Sequence, residues 1–421
     1  MKMISMPGGR WLLAIFLIVL LTTPMVLAGE DGKDEKKAEA DNLLEALMKG
    51  TVSLNLRYRY ENVADDLVPD KDAHASTLRT ALGYRTLPWF GVSAFLEAEN
   101  VTVLGNDLYN NKGAGSLWNG VDDRPVVADP ALTEINQVYL DVRTIPDTIL
   151  RAGRDEIILD NQRFVGNVGW RQNHQSFDAL SIGNESIPHT RLTYIYMANV
   201  NRIFGDNKRM KSSLFNAKVT GCPYADFTLY YYYLDYDKEA DYGASTGTFG
   251  GRLDGDWAAD EDWKINYDFE YAKQNDIANN PYDVDAEYYR LQAGFGYTKA
   301  FSFTIGHEVL GGSPEDGSFS TPLATLHKFN GWADRFLNTP ENGLTDTYVA
   351  LGSNLGAFTL KGAYHWFKAD EGSANYGNEI DLLASWKSSW KQVFALKAAI
   401  YDADEFSQDV TKVMFFTAWG F

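Results

Sequence analysis

The chain of 421 residues has only one cysteine, Cys222. That excludes a disulfide framework and a cysteine-built zinc site, and its setting in Gly221-Cys222-Pro223 marks a tight turn. Long apolar runs are scarce too. Beyond residue 28 nothing approaches the roughly 18 uninterrupted apolar residues that a bilayer-spanning helix needs. No internal repeat of about 20 to 50 residues is visible, which argues against propellers and β-helices, and no Pro/Gly/Ser-rich linker divides the chain. Basic residues are in deficit, 38 Lys and Arg against 57 Asp and Glu, for a formal charge of −19. Nucleic acid is a poor partner for such a surface.

Catalytic patterns are equally thin. The histidines at 74, 174, 189, 307, 327 and 365 are scattered, and His307-Glu308 lacks the second histidine of a zinc helix. Gly243-Ala244-Ser245-Thr246-Gly247 matches a nucleophile elbow in letters but lies in a Gly-rich loop with no following helix. Asp283, Asp285 and Glu287 alternate, yet no glycine follows at EF-hand spacing, so solvated acidity is the simpler reading. No phosphate-binding or dinucleotide fingerprint precedes a helix. The expectation is a protein that is not an enzyme and has no metal and no cofactor.

What is present is period-two alternation. Val413, Phe415, Thr417, Trp419 and Phe421 place an apolar or aromatic residue at every second position, the pattern of a strand with one face in an apolar medium. A terminal aromatic on such a strand resembles the assembly signal of bacterial outer-membrane barrels. At the other end, Lys2 and Arg10 precede an apolar run from Trp11 to Leu21, with Val26-Leu27-Ala28 before Gly29, which reads as a secretory signal over 1–28. Residues 29–50 read as a periplasmic segment, charged to Asp41 and then amphipathic over Leu43, Leu44, Leu47 and Met48, that tethers or caps the barrel mouth.

Residues 51–421 read as an all-β transmembrane antiparallel barrel. Val52, Leu54, Leu56, Tyr58 and Tyr60 alternate with Ser53, Asn55, Arg57, Arg59 and Glu61. Similar segments fall at 76–86, 91–100, 132–143, 148–155, 177–184, 190–201, 212–220, 225–237, 245–254, 261–273, 287–299, 300–310, 345–353, 356–368, 378–387, 391–402 and 410–421, about eighteen strands in all. Segments 177–184 and 245–254 carry the weakest pattern. Long connections at 61–75, 101–131, 156–176, 202–211, 274–286, 311–344, 369–377 and 403–409 alternate with short turns, which puts both termini in the periplasm.

The densest mixture of guanidiniums, carboxamides and aromatics runs from Arg151 to Asp178. Such groups suit carbohydrate: amides and carboxylates bond hydroxyls, Trp170 offers a stacking face, and arginines fork onto carboxylates. They would equally bond one another to fix a loop against the wall. The run GRDEIILDNQRFVGNVGWRQN from Gly153 to Asn173, the strand Glu134 to Asp141 and Phe177-Asp178-Ala179 resemble the alginate-export family of outer-membrane proteins. The resemblance implies an eighteen-stranded barrel with an outer loop folded inward and an electropositive, arginine-lined constriction that passes a polyuronate.

Carried onto this chain, the resemblance nominates Arg154, Asp160, Asn161, Gln162, Arg163, Trp170, Arg171 and Gln172 for the inward loop. Alternation adds Arg57, Arg59, Arg79, Arg85, Arg143 and Arg290 on the water face. Pairing of lumen arginines with Glu97, Glu99 and Asp141 is the bland alternative, giving a nearly neutral wall. The expected partners are an anionic polysaccharide or small anionic solutes, outer-membrane lipid, and the barrel assembly machinery through Phe421. A general porin, or a receptor or adhesin using the loops at 101–131 and 311–344, are the rival readings.

Overall fold

The computed structural model describes residues 39–421, except 106, 299 and 316. The secretory signal and residues 29–38 lie outside the described residues. From Thr51 the chain forms β1 (Thr51–Asp65), β2 (Ala73–Arg85), β3 (Val92–Val103), β4 (Leu132–Val142), β5 (Thr148–Asp155), β6 (Ser176–Asn184), β7 (Thr190–Asn201), β8 (Asn207–Val219) and β9 (Asp226–Leu234). There follow β10 (Thr246–Ala258), β11 (Trp263–Asp276), β12 (Asp285–Tyr297), β13 (Phe301–Leu310), β14 (Leu344–Leu355), β15 (Phe358–Lys368), β16 (Asn375–Lys387), β17 (Val393–Ala403) and β18 (Val410–Gly420).

Each strand pairs antiparallel with its sequence neighbours, and β1 pairs with β18 from Asn55↔Gly420 to Asp65↔Val410, so the eighteen-stranded sheet closes. No helix among the described residues is long and apolar enough to cross a membrane. Closure removes free edges, and outward residues such as Leu229, Phe249, Leu351 and Leu396 form an exposed apolar outer surface.

Both weakly patterned segments are strands. β10 is Gly-rich because a side chain at Gly250 would lie about 2.5 Å from the Tyr230 hydroxyl; the glycine makes room for a tyrosine inside the barrel. Several strands start earlier or end later than the alternation indicates, as in β1, β2 and β8. Beyond the outward apolar band neither face is buried in an apolar medium, and the period-two signal vanishes although pairing continues.

Connections at one end are L1 (66–72), L2 (104–131), L3 (156–175), L4 (202–206), L5 (235–245), L6 (277–284), L7 (311–343), L8 (369–374) and L9 (404–409). The other end has turns at 86–91, 143–147, 185–189, 220–225, 259–262, 298–300, 356–357 and 388–392. L4 is shorter than expected because β8 begins at Asn207. The helix α1 (Leu43–Met48), capped by Asn42, docks on the turn end, where the Leu87 amide donates to the Ala46 carbonyl and the Tyr84 hydroxyl to that of Leu47.

Two aromatic clusters hold loops inside the barrel. Phe164 of L3 packs among Tyr230, Tyr232, Tyr288 and Phe319 at centroid distances of 5.2 to 6.0 Å. Phe336 of L7 packs among Phe367, Tyr376, Tyr401 and Phe406 at 4.5 to 6.1 Å. These rings replace the core a soluble domain would have, and they make L3 and L7 part of the lumen.

Candidate functional site: two loops across the lumen

L3 leaves β5 and turns inward through left-handed residues at Asp160, Gln162 and Val168, with φ of 49°, 71° and 52°. A β-branched residue in that region is strained and needs surrounding contacts to hold it. Here the Val168 amide donates to Thr325 Oγ1 of L7 at 3.1 Å, the Gly166 amide donates to the Leu323 carbonyl, and the Thr325 amide to the Gln162 carbonyl.

The β1 arginines grip L3 from the wall. Arg57 donates to Gln172 Oε1 and to the Gly169 carbonyl, each at 2.8 Å, and also to the Arg171 carbonyl. Arg59, 1% exposed, donates to the Trp170 carbonyl and pairs with Asp129 of L2. Asp129 also accepts from the Gln172 amide, and Gln172 Nε2 donates to Thr77. Arg171 reaches Glu61 at 3.2 Å and Asp334 of L7 at 3.1 Å. Burial favours the neutral form of Asp129, but the Arg59 and Arg171 guanidiniums hold its carboxyl below the usual range.

On the other side of the loop Arg163, 1% exposed, lies 2.9 Å from Glu308 of β13 and over the Phe329 ring at 4.8 Å. Asp160 accepts from Asn216 of β8 at 2.7 Å, and Asn161 donates to Glu270 of β11 at 3.3 Å. The Gln162 backbone makes its bonds within L3 and to L7. L3 therefore runs across the lumen from β1 to β13. Trp170 stacks on His327 of L7, 4.5 Å apart and 9° from parallel.

The remaining wall arginines are neutralised. Arg79 donates to Glu99 at 2.6 Å, Arg85 to Tyr139 at 2.6 Å with Asp141 at 3.4 Å, and Arg290 to Asp268 at 3.0 Å. His174 and Asn136 hold Glu156 of L3. Burial pushes its carboxyl up, but these hydrogen bonds and those from Asn167 outweigh it and leave the value at about 2.

Two nominated residues lie elsewhere. Arg154 still belongs to β5, where it pairs in register with outward-facing Val138, and its guanidinium meets Asp178 at 2.7 Å on the outer surface. Strand alternation persists to Asp155, so Arg151 and Asp155 face the lumen while Arg154 cannot. Arg143 sits exposed in the 143–147 turn, with its amide donating to Gly91, far from L3 along β4. Ser245 is buried and accepts from the Tyr236 amide; it is no nucleophile elbow.

From the sequence 311–344 reads as a long outer connection, and none of the L7 residues that enter the lumen is among those nominated there. Asp334, a left-handed residue at φ 61°, accepts from His327 Nδ1 at 2.7 Å, from Arg171 and from Lys412 of β18 at 2.7 Å. Burial and the nearby Lys397 ammonium hold the His327 imidazole down at about 3, and its neighbours hold Asp334 well below the ordinary carboxylate range despite burial. An acidic wall backs L7: the Trp332 amide donates to Asp381 at 3.2 Å, the Ala333 amide to Glu379 at 2.7 Å, and Asn330 to Glu308 at 2.8 Å. The stretch Leu326 to Phe336 has the same mixture of aromatics, amides and charge as L3, which was the signal available.

Above these loops opens a vestibule of about 880 Å³. Its lining carries Lys112, Arg124, Arg163, Arg171, Arg202, Lys208, Arg335 and Lys412 against Asp65, Asp122 and Asp334. Arg335 pairs with Asp65 at 2.7 Å, while Lys112 and Arg124 make no ion pair among the described residues. No group of three or more metal-ligating side chains occurs among the described residues.

Solved structures share this architecture. Acinetobacter baumannii OccAB2 superposes with a TM-score of 0.71 at 15% identity, over 90% of this chain and 99% of its own. Pseudomonas aeruginosa OpdL gives 0.68 at 14% identity, and OpdK, solved with vanillate, 0.68 at 12%, each over 88% of this chain and 98% of its own. At such identity they establish the fold. Among curated proteins none matches. Residues 49–299 match the alginate export family, more than half of the chain and including all of β1 to β12 with L3. The chain therefore belongs to the alginate-export family, and is an outer-membrane β-barrel channel rather than an enzyme.

Proposed function

We propose that this barrel passes anionic solutes passively, with uronate oligosaccharides of the alginate kind as the solute class, and that the turn end with α1 faces the periplasm. The observation that carries the reading is the vestibule lining, in which Lys112 and Arg124 make no ion pair among the described residues while Arg163, Arg171, Arg202, Lys208, Arg335 and Lys412 are each paired with a carboxylate, in a chain whose net charge is −19. Fixed positive charge at a constriction lowers the barrier for carboxylates and raises it for cations. Lys112 and Arg124 supply the uncompensated part of the field, and the paired arginines of L3 mainly hold the loop. In this reading residues 1–28 are removed as a signal, 29–50 form the periplasmic segment, and the barrel assembly machinery engages Phe421.

The extensive pairing of the wall arginines favours one further reading, a general porin without sugar specificity. A surface receptor gains no support, because L2 and L7 are bonded inward through Asp129 and Asp334. The test is the zero-current potential of the reconstituted barrel in a salt gradient. Anion preference that falls in the Lys112→Gln/Arg124→Gln variant is expected, and cation preference in the wild type would sink the reading. Block of the salt current by oligouronate, but not by neutral oligosaccharide of equal length, separates the specific channel from the general porin.

A further inference from the structure

Lys397 rises from β17 into the lumen beneath L3 and L7 and is 6% exposed. Its in-register neighbours on both sides are apolar, Leu383 on β16 and Met414 on β18, so the wall offers it no carboxylate directly opposite. It makes no ion pair among the described residues; the nearby Asp334 is taken by His327, Arg171 and Lys412. Instead its ammonium sits 4.2 Å from the centre of the Trp170 ring and 3.6 Å from that of Trp332, and 2.6 Å from His327 Nε2.

Those three groups come from both inward loops, Trp170 from L3 and His327 and Trp332 from L7. The hydrogen bonding is directional. His327 donates a hydrogen bond from Nδ1–H to Asp334 and so presents the Nε2 lone pair to the ammonium. The two indole faces add to the field of the nearby Asp381 and Asp334 carboxylates, and a cation held by ring faces in a site from which water is excluded gains far more than at a surface. Small residues at Ala395 and Ala399, inward on the same strand and almost fully buried, leave the space that the loops occupy.

We propose that Lys397 is a clasp: its ammonium, caged by Trp170, Trp332 and His327, joins L3 to L7 and sets the two loops as one unit across the lumen. The inference rests on these contacts and deepens the channel reading by naming the residue that positions the constriction.

The experiment is amide hydrogen exchange on the full reconstituted barrel, with the zero-current potential recorded on the same preparations. Lys397→Met, which keeps length and loses charge, is expected to speed exchange roughly tenfold at residues 168–171 and 327–334 together, with the strands unchanged. Lys397→Arg should keep wild-type exchange, because a guanidinium also stacks on indoles. Trp332→Leu weakens the cage from the loop side and should loosen L3 as well as L7, which covers the case in which Lys397→Met fails to assemble. Unchanged exchange in either loop in both Lys397→Met and Trp332→Leu overturns the clasp. So does a rise spread evenly over the strands, which would mean general destabilisation. Cation preference of the wild type would defeat the anion reading and leave the clasp standing.

Discussion

The β1 wall and the β13 to β16 wall hold their loops with opposite polarity. On β1, Arg57 and Arg59 donate to the carbonyls of Gly169, Trp170 and Arg171, so L3 is gripped by its acceptors. On β16, Glu379 and Asp381 accept from the amides of Ala333 and Trp332, so L7 is gripped by its donors. Each wall satisfies backbone groups that an irregular segment would otherwise bury unpaired. The difference teaches that the charged lumen residues serve two purposes. Those facing L3 and L7 fix loop backbone, and the others, such as Arg79 with Glu99 and Arg290 with Asp268, neutralise one another along the wall.

The largest effect is expected on the basic side. Arg59→Ala leaves the Trp170 carbonyl without its side-chain donor and the buried Asp129 without its direct ion-pair partner, and breaking such a pair costs about 3–5 kcal/mol. Thermal loss of the compact barrel, followed by its gel mobility, measures this. A variant as stable as wild type would show that the β1 wall does not grip L3.

Acid tests the other side. The folded value of His327, about 3, lies below its ordinary 6.5, so the unfolded or detached loop binds a proton first as pH falls. The docked state is therefore favoured fully above about pH 6.5 and progressively less between there and about 3. Exchange within 327–334 should rise through that window. Exchange that is flat with pH would place the imidazole outside the latch.

Replacing the acceptors separates charge from hydrogen bonding. Asp381→Ala should cost about 1–3 kcal/mol by stranding the Trp332 amide, whereas Asp381→Asn keeps an acceptor oxygen and should hold L7 near its wild-type exchange rate. Equal loosening by both would mean that the negative charge, not the acceptor, holds L7. The smallest effect belongs outside the lumen: Arg154→Ala breaks the partly exposed pair with Asp178, worth about 0–1 kcal/mol, and an exposed hydrogen bond to the Ile135 carbonyl. A shift of ion selectivity in that variant would contradict its outward placement.

Strands and their number were legible because lipid on one face and water on the other write a period of two into nearly every segment. L3 was legible by composition, and Arg163, Arg171 and Gln172 stand where a loop folded inward needs them. Arg154 was misplaced because a motif read as loop begins while β5 still alternates. L7 stayed hidden for a different reason. Asp334 meets Arg171 and Lys412, and Trp332 meets Lys397, across separations that no local pattern encodes. The acidic wall looked like ordinary alternation because its partners are backbone amides.

The pairing of β1 with β18 has a consequence for how the molecule is made. Until Val410 to Gly420 are in place, β1 has one hydrogen-bonding edge unmatched, and β1 is also the strand whose arginines seat L3. The contact that completes the sheet joins residues separated by almost the full described chain, the slowest kind to form unaided. Ring closure and loop docking thus converge on one late event, so a defect in β18 should yield an open, sticky sheet rather than a slightly leaky barrel.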